Sequence, residues 1–472
     1  MTQVPESAPS RRALLAGLGS LLGAGCLGAS RSDGSERPAT DRDDEWRMYG
    51  RDPGRSRYVP DIDVPREEPE VVWDRQVGAS GWRPPVVADG TVYCQYANGL
   101  FVLDLETGAG RLTNTYGGFG RGTGPMALPR TEIYRDGTLV VPYGEAIAGY
   151  AAAPKRFPGE ISGFGDGLLR WWSDGETVGT DAAGIGSRSL GPEFTSVSSA
   201  PVAVAGDLVT LHAISDSVSA VRADDGNPRW RYDLEDAAPD DWDHGVGPLG
   251  HVVDEATDTV VVAGRLFTAP YLIGLDRATG SLEWTVDGRT TDARARSSGE
   301  PNGLLARDGT VYAVSMNAER ELRLLAVDAA SGERGWKRTL SRSAHVGLAA
   351  GDDRLYSVAT VSQEGTDPLA ITALDIEDGR VRWERVLEDP TRGPPLAGGQ
   401  PPTVAGNAVL VPGERGLHAL EGTTGDHLWT FTETVGTSGG GETERAAVTP
   451  AVVADDRLVV GTTLALYGLE VA

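Results

Sequence analysis

Ile273-Gly274-Leu275-Asp276-Arg277-Ala278-Thr279-Gly280-Ser281-Leu282-Glu283-Trp284 is a short apolar run, a glycine turn and a tryptophan. The chain repeats this phrase. It returns as Leu325-Ala326-Val327-Asp328-Ala329-Ala330-Ser331-Gly332-Glu333-Arg334-Gly335-Trp336 and as Thr372-Ala373-Leu374-Asp375-Ile376-Glu377-Asp378-Gly379-Arg380-Val381-Arg382-Trp383. A further copy is His418-Ala419-Leu420-Glu421-Gly422-Thr423-Thr424-Gly425-Asp426-His427-Leu428-Trp429. Self-similarity at about fifty residues means one supersecondary unit copied along an array.

Residues 349–386 show what one unit contains. A Gly351-Asp352-Asp353 turn leads into the run Arg354-Leu355-Tyr356-Ser357-Val358-Ala359, and after a polar loop comes Ala370-Ile371-Thr372-Ala373-Leu374-Asp375. The turn at Gly379 then precedes Val381-Arg382-Trp383-Glu384. Short runs of period two between Gly and Asp turns read as antiparallel strands. Four strands with a tryptophan on the outermost make one propeller blade.

Units of this kind fall at 84–115, 125–172, 200–234, 247–288, 301–340, 346–387, 401–432 and 449–472, with outer tryptophans at Trp171, Trp230, Trp284, Trp336, Trp383 and Trp429. The first unit carries Arg111 or Leu112 where a tryptophan is expected, and the second is compressed around residues 165–171. The last unit lacks an outer strand, and Glu70-Val71-Val72-Trp73-Asp74-Arg75-Gln76 supplies one from the other end of the chain. The expected fold is therefore all-β, an eight-bladed β-propeller of four-stranded antiparallel blades closed by an N-terminal strand. Seven blades is the alternative if the second unit is not a blade. Closure hides the sheet edge that an open ring would expose.

Composition bounds the partners. The formal net charge is −25, and Lys155 and Lys337 are the only lysines among 43 basic residues. With no basic stripe to neutralise phosphates, a nucleic-acid partner is not expected. An acidic, lysine-poor surface suits molar salt, where the Debye length falls to about 3 Å, and it resembles the surfaces of proteins from extremely halophilic archaea.

The N-terminus reads as an address. Arg11 and Arg12 precede an apolar, glycine-rich run ending at Cys26. Paired arginines before a weakly hydrophobic stretch resemble a twin-arginine export signal, and the run is too short to cross a bilayer of about 30 Å as a helix. Cys26 stands behind small residues, where a lipoprotein signal places its lipid-bearing cysteine. The expected organisation is a signal over 1–26, a disordered acidic tether over 27–45 and the propeller over 46–472. The expected location is the extracytoplasmic face of the cell membrane, with a lipid as anchor.

The Asp-to-Trp repeats, together with Trp46-Arg47-Met48-Tyr49-Gly50-Arg51-Asp52-Pro53-Gly54 ahead of the closing strand, resemble the pyrroloquinoline-quinone-like propeller superfamily. It includes quinoprotein alcohol dehydrogenases and the non-catalytic outer-membrane assembly lipoprotein BamB. The resemblance runs from about Trp46 to the C-terminus, and it speaks to fold more than to chemistry. On the enzyme side it implies pyrroloquinoline quinone (PQQ) with Ca²⁺, the quinone sandwiched between a tryptophan and a disulfide of adjacent cysteines. Only Cys26 and Cys94 exist, so no such disulfide forms, and no haem-attachment motif occurs. The evenly spaced tryptophans read as blade-to-blade anchors, which leaves Trp46, Trp82, Trp172 and Trp242 off the ring.

One acidic loop offers weak metal candidates, Asp241, Asp243 and His244, but it lacks the glycine and distal glutamate of a calcium loop. No nucleophile elbow, phosphate loop or dinucleotide fingerprint occurs. No catalytic residue is assigned, and His212, His345, His418 and His427 read as individual structural or surface residues. Insertions at 143–160, 173–197, 235–246, 289–300, 388–400 and 433–448 are all expected on one face, opposite the short turns. The reading that follows is a monomeric, non-catalytic binding or scaffold module. It would meet envelope proteins or surface polymers through that long-loop face. The alternative is a PQQ-dependent sugar or alcohol dehydrogenase.

Overall fold

The computed structural model describes residues 45–62, 64–76, 84–96, 99–114, 124–143, 146–152, 169–180, 200–212, 215–238, 247–265, 270–286, 303–316, 321–361, 367–391, 400–436, 443–446, 448–462 and 465–471. All belong to one compact unit, Asp41–Ala472. Arg11, Arg12 and Cys26, expected to serve export and lipid anchoring, lie outside the described residues, as do Asp241, Asp243 and His244.

The sheets are eight blades arranged as a propeller. Blade 1 runs outward as Val86–Ala88, Thr91–Tyr96, Gly99–Asp104 and Gly110–Asn114. Blade 3 (Val202–Val204 to Pro228–Asp233), blade 4 (Gly247–Asp254 to Leu282–Val286) and blade 7 (Thr403–Ala405 to His427–Phe431) repeat that order. Blades 5 and 6 merge into one seven-stranded sheet because Arg334–Ala350 is continuous, serving as outer strand of one and inner strand of the next.

Blade 2 settles the blade count. Its inner position is a single bridge from Ala127 to Val140, followed by Thr138–Tyr143, Ala146–Ala151 and Leu169–Ser173. A short extra strand, Val178–Gly179, pairs outside Trp172. The compressed unit is thus a full blade with one strand added, and the seven-blade alternative falls. The strand order also moves one insertion. Residues 153–168 lie outside the described residues, but the strands on either side of them, Ala146–Ala151 and Leu169–Ser173, are the third and fourth of blade 2, so the described ends of this insertion stand at the short-turn face.

Blade 8 consists of Val452–Ala454, Arg457–Gly461 and Ala465–Glu470, with Val71–Gln76 antiparallel to the last of these. The N-terminal strand closes the ring, as its alternating sequence predicts.

Burial explains why period two is clearest on outer strands. Thr138–Tyr143 is buried on both faces, because a middle strand is covered by the blades on either side. Leu282–Val286 and Val71–Gln76 bury little beyond Trp284, Val286 and Trp73. The core accordingly lies between blades. Val252, Val261, Leu272 and Trp284 of blade 4 form one cluster with Leu304, Val311, Leu325 and Val327 of blade 5.

Candidate functional site at the propeller axis

The repeat phrase is a docking device. Gly280 N donates to Asp276 O (2.8 Å), and Asp276 Oδ1 accepts from Thr279 N and Thr279 Oγ1, which fixes the turn. These bonds, led by the Thr279 hydroxyl, hold the Asp276 carboxyl below its ordinary range, and Ser331 does the same for Asp328. Gly280 sits at φ +71°, and a Cβ there would lie 2.5 Å from Trp230, the ring tryptophan of the preceding blade. Gly108, Gly226, Gly332, Gly379 and Gly425 stand in the same way against Trp73, Trp171, Trp284, Trp336 and Trp383.

The indole N–H completes the contact. Trp73 donates to Leu105 O, Trp230 to Arg277 O, Trp284 to Ala329 O, Trp336 to Ile376 O and Trp383 to Gly422 O, at 2.8–3.2 Å. Trp429 meets blade 8, whose outer strand comes from the N-terminal side, and donates to Pro65 O (2.7 Å). Each buried indole contributes about 5 kcal/mol of gross apolar burial. In blade 1 the register sets Val102 opposite Leu112, whereas the partners of Trp171, Trp230, Trp284, Trp383 and Trp429 are Gly149, Ala220, Gly274, Ala373 and Ala419. A small residue beneath the ring is part of the code, and blade 1 lacks both halves of it.

At the centre lies a feature the repeats do not announce. The segment 45–60 passes along the inner strands near the short-turn face. Trp46 bridges Val87 of blade 1, and Arg47 O accepts from Leu128 N of blade 2. Pro53 O accepts from Val253 of blade 4, Gly54 O from Ala306 of blade 5 and Ser56 O from Ala350 of blade 6. Arg57 O and Val59 O accept from Val404 and Gly406 of blade 7, where Tyr58–Val59 pairs parallel to Val404 and Ala405. Blade 3 is reached by a side chain, Arg55 Nη2 to Ala200 O at 3.3 Å. The strap's backbone visits blades 1, 2, 4, 5, 6 and 7 in ring order and so makes a circuit of the axis.

Its backbone is forced into that path. Arg51, Arg55 and Arg57 all adopt positive φ (77°, 60° and 58°), a conformation costing about 1–3 kcal/mol each for a residue with a Cβ. Arg57 N donates to Gly50 O (3.0 Å), which closes the loop on itself. Tyr49 lies inside it, with the Arg57 guanidinium 4.4 Å and the Arg55 guanidinium 5.4 Å from its ring centre. Asp52 accepts from Ser56 N and Oγ, and burial pushes its carboxyl up. A second network anchors the strap's start: Glu45 and Asp89 hold Arg47 and Arg130.

The remaining candidates have structural explanations. Trp46 is a core residue beside blades 1, 7 and 8, and Trp172 is covered by the extra strand at Gly179; Trp82 and Trp242 lie outside the described residues. Buried His212 pairs with Ser219 (2.7 Å), buried His251 with Val209 O, and His418 and His427 both reach Thr430 Oγ1. Cys94 is buried, and burial pushes its thiol up to about 12. With Tyr93 and Gln95 as its neighbours and the ring tryptophans engaged between blades, these residues do not fit the quinone sandwich. Among the described residues no three His, Cys, Asp or Glu side chains converge as a metal-ligand set. An open cleft of about 390 Å³ between blades 1 and 8 is lined by Asp104, Glu106, Asp455 and Asp456, with Arg111 paired to Asp104.

Comparison with known proteins gives a consistent picture. The sequence profile of the family described as outer membrane protein assembly factor BamB matches residues 165–319 and 320–472. The fold is similar to BamB from Moraxella catarrhalis (TM-score 0.53, 16% identity, 85% of this chain and 100% of that one). It is also similar to a quinohemoprotein alcohol dehydrogenase from Pseudomonas putida (0.58, 12%, 91% and 80%) and to one from Comamonas testosteroni (0.55, 14%, 91% and 80%). The serine/threonine-protein kinase AfsK of Streptomyces griseus is 26% identical over 200 residues, which is 41% of this chain and 22% of the kinase's length. No helix among the described residues is long and apolar enough to cross a membrane.

Proposed function

Because the chain belongs to the family described as outer membrane protein assembly factor BamB, we propose that it is a non-catalytic binding or scaffold module. It works at the extracytoplasmic face of the cell membrane, exported through Arg11 and Arg12 and tethered by a lipid on Cys26. Its partners are envelope proteins or surface polymers, met through the blade-to-blade connections of the long-loop face. One observation carries this reading: the described ring tryptophans are engaged between blades, and the axis is crossed by the strap. Both features favour a rigid display scaffold over a cofactor funnel.

The competing reading is a PQQ-dependent dehydrogenase, since the same fold serves quinohemoprotein enzymes. Titrating the protein in molar salt with PQQ and Ca²⁺ separates the two, read by tryptophan quenching and by dye reduction with sugars and alcohols. The scaffold reading expects neither saturable quenching nor turnover, and saturable binding with turnover sinks it. The anchor has its own test: the wild type should fractionate with membranes and Cys26→Ser should appear in the medium. Equal partition of the two would remove the lipid.

A further inference from the structure

Arg55 and Arg57 are 3% and 2% exposed, and among the described residues neither forms an ion pair with a carboxylate. Arg57 Nη1 and Nη2, together with Arg55 Nε and Nη1, have no hydrogen-bond partner among the described residues. Four buried donors on two cations are unusual, because a buried guanidinium without a counter-charge costs several kcal/mol. Water could accept the bonds but could not neutralise the charge.

The nearby acids do not supply it. Asp52 acts on Arg57 only from beyond ion-pair distance, since its carboxyl is occupied by Ser56 and burial favours its neutral form. Glu45 and Asp89 are taken by Arg47 and Arg130. Burial, opposed by Tyr49 and reinforced by the charge of Arg57, lowers the Arg55 pKa to about 10, so Arg55 remains cationic at neutral pH; burial lowers that of Arg57 too.

Placement gives the pair a common focus. Arg57 N donates to Gly50 O while its carbonyl is held by blade 7, so its backbone lies beside the turn that carries Tyr49, and the Arg57 and Arg55 guanidiniums both face the Tyr49 ring at 4.4 and 5.4 Å. Arg55 Nη2 bonds Ala200, which precedes the inner strand Val202–Val204 and so marks the long-loop end of blade 3. Arg55 thus points from the strap toward the long-loop end of blade 3. The three strained arginine backbones give the same indication, since strain of this kind persists where surroundings hold a functional arrangement.

We propose that Arg55 and Arg57, framed by Tyr49, form an axial binding site for a small oxyanion of the phosphate or carboxylate type. The buried, unpartnered terminal edge of Arg57 matches two oxygens of such a group, and Arg55 supplies the second charge. A bound oxyanion fastens the two sides of the strap to each other. The site does not depend on the scaffold reading, and it can be tested without any quinone.

The test is thermal denaturation of the full chain in phosphate, in acetate and in chloride at matched ionic strength. The wild-type midpoint should rise and saturate with one oxyanion and stay flat in chloride. Arg57→Met and Arg55→Met should lose that saturable rise, and Arg57→Lys, which keeps the charge without the fork, should need a higher concentration. Phosphate responding without acetate assigns a tetrahedral ligand, and the reverse assigns a carboxylate. Wild type and both Met variants rising in parallel, or a wild type flat in both oxyanions, would overturn the site. Should the Met variants fail to fold, a selenate-soaked wild-type crystal decides: anomalous density between the two guanidiniums supports the site, and its absence there removes it.

Discussion

At the scale of single residues, the turn glycine of each repeat has two duties that substitution separates. Gly280 needs a positive φ and also lies under the Trp230 ring, whereas Gly90, at φ +63°, has nothing within 4 Å of a built Cβ. Gly90→Ala should therefore cost about 1 kcal/mol from backbone strain alone. Gly280→Ala should cost about 2–4 kcal/mol, because the indole must also shift. Denaturant midpoints measure both, and equal losses would mean that the ring contact adds nothing. The turn aspartates carry a pH dependence of definite sign. Asp276 and Asp328 are held below their ordinary value of 3.8, so the stability they add is present above that value and lost as pH falls through the lower folded value. Asp276→Asn should be less stable than wild type at neutral pH, and the gap should close on acidification below 3.8. A gap that stays constant down to acid unfolding would show that the charged form is not what the turn uses.

At the scale of elements, the sequence announces the strands and conceals the strap. Each blade strand advertises itself through alternation and a bounding Gly or Asp turn, and the closing strand did so through Val71, Trp73 and its neighbours. The strap has no such signal. Its backbone hydrogen bonds go to six different blades, its direction is set by Gly50, Pro53, Gly54 and three left-handed arginines, and no period results. Trp46-Arg47-Met48-Tyr49 was legible as a family motif but not as an axial element. Blade 2 hid its inner strand because only Ala127 pairs there, and the third-to-fourth insertion could not be placed until the strand order was known. Gly54 gives the strap a sharp test. A Cβ there would fall 1.9 Å from Ala306 O, so Gly54→Ala must lift the strap from blade 5. Amide exchange at Ala306 and Ala350 should then speed up at least tenfold, a loss of about 1.4 kcal/mol in local protection, with the outer strand Leu282–Val286 unchanged. Exchange that rises equally in all blades would mean the strap is not a separable element.

At the scale of the whole molecule, closure and charge pull against each other. The ring is held shut by Val71–Gln76 on the last blade and by indoles docked between neighbours, all short-range contacts. A net charge of −25 acts over the whole surface and favours any expansion of the ring. Many ion pairs among the described residues are partly exposed, such as Arg277 with Asp258 and Arg385 with Asp426, and pairs of that kind add little. Screening by salt is therefore the main relief open to the molecule. The thermal midpoint should climb by on the order of 5–10 °C as NaCl rises from ~0.1 M to ~1 M, over which the Debye length shrinks from about 10 Å to about 3 Å. The shape of the curve identifies the cause. Screening levels off once the Debye length is shorter than the spacing of surface carboxylates, whereas strengthened apolar burial by excluded salts keeps growing with concentration. A curve that steepens beyond ~1 M, where screening is nearly complete, would assign the salt effect to the inter-blade core, and a midpoint indifferent to salt would mean the carboxylates lie too far apart to strain the ring.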